Sequence, residues 1–111
     1  MTRVELKSLR TDKENLDGLI SVLDELYPDS REGDECSYFD ALNNRPFNGV
    51  HYSYPTPTGS IAEIHANLEG DTFVANVLLI IPESVYLILE TGLKKAAPVV
   101  YSAIERVFAS K

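Results

Sequence analysis

Ile61-Ala-Glu-Ile-His-Ala-Asn-Leu-Glu-Gly70-Asp71-Thr-Phe-Val-Ala-Asn-Val-Leu-Leu-Ile-Ile81 is the stretch that decides the fold. Gly70-Asp71 reads as a two-residue turn, with glycine first as a type II′ hairpin requires. Folding the chain back there sets Leu68 opposite Phe73, Ala66 opposite Ala75, Ile64 opposite Val77 and Ala62 opposite Leu79. All eight residues are apolar and all fall on one side. The other side pairs Glu69 with Thr72, Asn67 with Val74, His65 with Asn76 and Glu63 with Leu78. Side chains alternate along a strand, so a slip of one residue would scramble this segregation. The sequence therefore predicts a hairpin over 61–81 with one apolar face.

A hairpin with one apolar face needs cover, and the flanking sequence offers helices. Thr11-Asp12-Lys13-Glu14 has the form of a capping box, in which Thr11 and Glu14 satisfy the first N–H groups of a helix. Leu16, Leu19, Ile20, Leu23, Leu26 and Tyr27 then recur at helical spacing. Pro28 disfavours helical backbone in the residue before it, so the helix is expected over 12–27. Pro98 opens a second stripe, Val100, Ile104, Val107 and Phe108, which gives a terminal helix over 98–109. Residues 83–93 are ambiguous. Pro82-Glu83-Ser84 resembles a helix start, and Val85, Ile88, Leu89 and Leu93 fit a helix. Val85-Tyr-Leu-Ile-Leu89 would also suit a strand.

Two further strands are expected. Val4 and Leu6 alternate with Arg3, Glu5 and Lys7 over 2–9, and Val50, Tyr52 and Tyr54 alternate with His51 and Ser53 over 49–54. Residues 28–48 carry the turn signals Gly33, Asn43-Asn44 and Arg45-Pro46 and read as a long connection. Ordered connections of that length inside small domains are often functional. The chain of 111 residues suits one domain, residues 1–111, able to bury roughly 65% of its unfolded surface. The expected class is α+β: a small antiparallel sheet of about four strands with helices packed mainly on one face.

Charge is distributed unevenly. The formal net charge is −7. Residues 12–40 hold ten of the 17 acids against only Lys13 and Arg31, while residues 1–11 are net basic and residues 41–111 nearly neutral. Phosphate recognition needs clustered Lys and Arg, so nucleic acid is disfavoured as a direct ligand. An anionic membrane surface is disfavoured for the same reason. The longest apolar run, Val77–Ile81, is far short of the ~20 residues that span a bilayer. Cys36 is the one cysteine, which precludes an internal disulfide. With no apolar leader in residues 1–11, a reducing, cytoplasmic location is expected.

An ordinary solvated helix face mixes charges of both signs. The polar face of the 12–27 helix instead carries Glu14, Asp17, Asp24 and Glu25, and the connection adds Asp29, Glu32, Asp34, Glu35 and Asp40. Tyr38 and Phe39 sit among these acids, and aromatic anchors surrounded by charge are common at protein interfaces. Asp17, Asp24, Glu25, Asp29, Glu32, Asp34, Glu35, Tyr38, Phe39 and Asp40 are accordingly the candidate partner-binding residues. Acidity could equally serve solubility alone, and Phe39 and Leu42 could fold back over the edge of the core.

Other chemistry is weakly supported. Asp29-Ser30-Arg31-Glu32-Gly33-Asp34 is not a calcium loop, because Arg31 and Gly33 stand where oxygen ligands are needed. Asp34 and Glu35 beside Cys36 favour its thiol over the thiolate. There is no phosphate loop, no dinucleotide fingerprint and no Gly-x-Ser-x-Gly elbow. No cofactor, metal or catalytic residue is expected. Three readings follow. The first is a non-enzymatic protein holding a basic partner, in its most concrete form an inhibitor or immunity-type protein that neutralises a toxin such as a nuclease. The second is a small-molecule binder or minor enzyme using His65, Glu63 and Asn76 on the outer sheet face. The third is a structural subunit or homodimer.

Overall fold

The computed structural model describes residues 1–42 and 44–109; the side chains of Cys36, Tyr38, Asp40 and Arg45 lie outside that description. In chain order the elements are β1 (Thr2–Thr11), α1 (Lys13–Leu26), β2 (Glu32–Asp40), β3 (Arg45–Pro55), β4 (Ile61–Glu69), β5 (Thr72–Ile81), α2 (Glu83–Ala96) and α3 (Pro98–Ala109). The five strands form one sheet in the order β1-β5-β4-β3-β2, with every neighbouring pair antiparallel. The fold is α+β, with one strand more than the sequence patterns indicate.

The central hairpin has the expected register, from Glu69 opposite Thr72 to Ala62 opposite Leu79. Gly70 takes a φ of 65°, as the first residue of the turn must. The apolar face extends sideways from this hairpin in three rows. Val4, Leu79, Ala62 and Tyr54 form the first, Leu6, Val77, Ile64 and Tyr52 the second, and Leu9, Ala75, Ala66 and Val50 the third. All twelve side chains are buried. The third row explains an irregularity in β1. Strict alternation from Leu6 would turn Leu9 outward, but the register shifts between Leu6 and Leu9. The extra residue of this bulge returns Leu9 to the inner face, so β1 continues to Thr11 rather than ending near residue 9.

Three helices cover the rows. Leu16, Leu19, Val22 and Leu23 of α1, Leu89 and Leu93 of α2, and Val100, Ala103 and Ile104 of α3 complete the core. Residues 83–96 are helical, which settles the ambiguous stretch. α3 packs on β1, and α2 packs on both α1 and α3. At the α1–α2 crossing a Cβ on Gly18 would overlap the carbonyl oxygen of Ala96, so only glycine permits this approach. The cap of α1 lies one residue later than the sequence pattern indicates. Thr11 is committed to β1, buried opposite Phe73. Asp12 is the N-cap, its Oδ1 accepting from the Asn15 backbone N–H at 2.7 Å and from Asn15 Nδ2 at 2.9 Å. Those bonds hold the Asp12 carboxyl below its ordinary pKa.

The expectation of a long connection over 28–48 is corrected: residues 32–40 are an edge strand, paired with β3 along their whole length. β3 in turn begins at Arg45, because its first residues pair with β2 alone. Its pairing with β4 starts only at Gly49. Pro46, which cannot donate to a ladder, is tolerated in that one-sided segment.

Candidate docking surface on the acidic edge

The helix layer does not cover the whole inner face. α1 starts beside the turn end of the central hairpin and runs to the far end of β3, where Tyr27 packs against Tyr54 with ring centroids 6.3 Å apart. The first half of β3 and all of β2 lie outside its shadow. A groove of about 440 Å³ remains there, between α1 and the β2–β3 side of the sheet. Leu16, Val50, Leu68 and Phe73 give it apolar walls, and Asp17, Glu35 and Asp71 contribute acids against the single base Lys13. Leu68 is 38% exposed although it belongs to the apolar face of the hairpin.

Strand geometry sorts the candidate acids. Glu35 stands opposite Val50 and so projects to the helix side, into the groove with Asp17. Glu32 and Asp34 stand opposite Ser53 and His51 and project to the other side of the sheet. The edge strand is therefore acidic on both faces. Glu25 is exposed on α1, and Asp29, at φ 61°, is exposed just after it. Phe39 is 61% exposed and Leu42 97% exposed, so neither folds back over the core. The side chains of the candidates Tyr38 and Asp40 lie outside the described residues.

Asp24 differs from the other acids. Its Oδ1 accepts from the hydroxyl of the fully buried Tyr54 at 2.8 Å, and its Oδ2 pairs with Arg31 at 3.1 Å. The Arg31 guanidinium also lies over the Tyr52 ring, 4.6 Å from its centroid. Asp24 thus ties α1 to β3 and to the segment entering β2. Burial, followed by the bond to Asp24, pushes the Tyr54 hydroxyl well above the ordinary tyrosine pKa.

The face without helices carries the histidines. His51 and His65 are cross-strand partners with stacked rings, centroids 4.4 Å apart, and Phe47 meets His51 edge-on at 4.9 Å. Burial, followed by the neighbouring His65, lowers the pKa of His51. Beside them a depression of about 280 Å³ is lined by Glu5, Lys7, Glu63, His65, Asn76 and Leu78 among others. His65 and Asn76 are exposed, and all three helices pack on the opposite face. Small-molecule sites enclose most of their ligand, and this depression lacks that enclosure. Among the described residues, no group of three or more His, Cys, Asp or Glu side chains is placed to hold a metal ion. Among the same residues, no helix is long and apolar enough to cross a membrane.

Comparison with protein-family models gives no match, and comparison with curated proteins gives none either. Among solved structures, the chain is similar to the open form of the exocytosis-sensitive phosphoprotein pp63/parafusin, a phosphoglucomutase, from Paramecium. The identity is 11% and the TM-score 0.38, over 87% of this chain and 19% of that one.

The groove itself was not visible in the sequence. Lys13, Leu16, Val50, Leu68, Asp71 and Phe73 come from five elements and turns and meet only in three dimensions. The one available signal was the Leu68–Phe73 pair. It sits at the turn end of the hairpin, two apolar residues with no obvious cover.

Proposed function

We propose that this chain is a non-enzymatic binding protein that holds a basic partner along its β2 edge. The observation that carries the reading is the groove between α1 and the β2–β3 side. It offers apolar surface chiefly at Leu68 and Phe73, over a floor formed by the buried Leu16 and Val50, beside the acids Asp17, Glu35 and Asp71. A segment presenting Lys or Arg next to an apolar side chain matches that combination. Exposed Phe39 on the same strand supplies an aromatic anchor of the kind that concentrates binding energy. Glu32 and Asp34 extend the negative surface around the edge, which speeds the approach of a cationic protein.

In its sharper form the proposal is an inhibitor of immunity type. Enzymes that act on nucleic acids carry basic clefts, and an acidic edge strand can occupy such a cleft and exclude the polyanionic substrate. The test is affinity capture at low salt, followed by association kinetics of the captured protein against salt. The association rate is expected to fall at least 10-fold between 20 and 500 mM NaCl, as steered encounters do. Asp17→Lys/Glu35→Lys should lower the low-salt rate by a similar factor, and Phe39→Ala should raise the dissociation rate. Rates indifferent to both salt and charge reversal would remove the mechanism. A captured nuclease whose activity is unchanged by saturating amounts of this chain would remove the inhibitor form of it.

A further inference from the structure

A second surface lies on α2, away from the acidic edge. Ser84, Leu87, Ile88, Thr91 and Lys95 recur at spacings of three and four, so they form one stripe. All are exposed. Leu87 is 59% exposed and Ile88 60%. Two adjacent large aliphatic side chains in mid-helix are thus left in water, although the opposite stripe of the same helix buries Leu89 and Leu93. Glu90 does not interrupt the patch, because its carboxylate accepts from the Tyr101 hydroxyl at 3.1 Å and so lies toward α3.

The charges of α2 say what fits there. Glu83 stands in the first turn, and Lys94 and Lys95 stand in the last. Two copies of this helix packed antiparallel about a twofold axis place the first turn of each beside the last turn of the other. Glu83 then meets Lys94 and Lys95 of the second copy at both ends, with Leu87, Ile88 and Thr91 in the middle. Parallel packing would set like charges together. Residues 83–109 contain three acids and three bases, so this side of the molecule lacks the negative charge that opposes self-association elsewhere.

We propose that α2 is a homodimer face, whose occupant is the α2 helix of a second copy of this chain in antiparallel, isologous contact. A 14-residue helix spans about 21 Å, which places the contact at the small end of protein interfaces. Contacts of that size belong with the weak, transient ones, so the dimer is expected only at high protein concentration.

Sedimentation equilibrium of the full chain from about 1 to 200 µM in 50 mM NaCl tests this. The expected result is a concentration-dependent rise toward twice the 12.3 kDa chain mass. Leu87→Glu should raise the dissociation constant at least 10-fold, with the circular dichroism spectrum unchanged because the side chain lies outside the core. Lys94→Glu/Lys95→Glu should weaken the dimer similarly, and adding Glu83→Lys should restore it, a rescue that nonspecific apolar association would not show. A chain that stays monomeric at 200 µM overturns the proposal. So does a dimer indifferent to Leu87→Glu and to the charge exchange, which would place the contact elsewhere. A monomer whose partner capture is abolished by Leu87→Glu also overturns it, and assigns α2 to a different protein.

Discussion

Tyr54 shows most directly how one side chain joins local structure to the whole fold. It sits fully buried in the first apolar row, yet it brings a hydroxyl with it. A buried hydroxyl without a partner is costly, and Asp24 supplies that partner from 30 residues away. The carboxylate is held in turn by Arg31, which packs on Tyr52. Tyr54→Phe should therefore lower stability by about 1.5–3 kcal/mol in urea unfolding, the range for hydrogen bonds to charged groups. Paired with Asp24→Asn in a double-mutant cycle, the two changes should be clearly non-additive. A loss below ~0.5 kcal/mol would mean that the bond contributes nothing net. The pH dependence has a definite sign. The folded state raises the Tyr54 pKa, so its contribution is fully present below the unfolded tyrosine value of about 10. It is lost as pH climbs from there through the folded value, and Tyr54→Phe should flatten that part of the alkaline stability profile. The same contacts change how Asp24 is understood. It belongs to the acidic run in sequence, but its oxygens are already engaged in holding α1 to the sheet.

At the scale of elements, the contact between α1 and α2 gives the sharpest expectation. Gly→Ala in a helix ordinarily gains up to about 1 kcal/mol in propensity. At Gly18 the added methyl meets backbone, the carbonyl oxygen of Ala96, which cannot step aside without moving a helix. Overpacking of that kind costs about 1–3 kcal/mol or more, so Gly18→Ala should be destabilising in thermal unfolding. At Gly92 the methyl would lie 3.0 Å from a Val22 methyl, a side chain that can shift. Gly92→Ala should be near neutral, and equal losses at the two positions would contradict this picture of the crossing. Elements of this fold were legible in proportion to how one-sidedly they are buried. The β4–β5 hairpin could be read to the residue because its inner face is wholly apolar and every polar residue of the two strands falls on the other face. The α1 stripe was legible for the same reason. β2 was not, because Glu-Gly-Asp-Glu at its start has no apolar face to alternate with: it is an edge strand outside the helix layer. Missing the strand hid the division of its acids, since Glu32 and Asp34 point one way and Glu35 the other only when the backbone is extended. The ambiguity at Val85–Leu89 has another cause. α2 leaves Leu87 and Ile88 in water, so its apolar residues do not form a clean helical stripe.

Across the whole molecule, the sheet order keeps opposite charges apart. The basic strand β1 lies at one edge beneath α3, and the acidic strand β2 lies at the other. Glu32 and Asp34 therefore sit together on one face of that edge, and Glu35 stands with Asp17 at the groove on the other. Mutual repulsion among them must subtract from stability at low salt. Glu32→Gln/Glu35→Gln should then raise the melting temperature by roughly 2–4 °C in 20 mM salt, with the gain shrinking as added salt screens the charges. The same double substitution separates the two explanations of the acidity. If the acids serve solubility, only stability and solubility should respond. If they serve docking, the more stable protein should also associate more slowly with its basic partner, which is the usual exchange of stability for function at a binding surface. An unchanged melting temperature would argue that the acids are too far apart to repel, and would weaken the case for a concentrated negative edge. A gain in stability together with a loss in association rate is the combination that a docking edge requires.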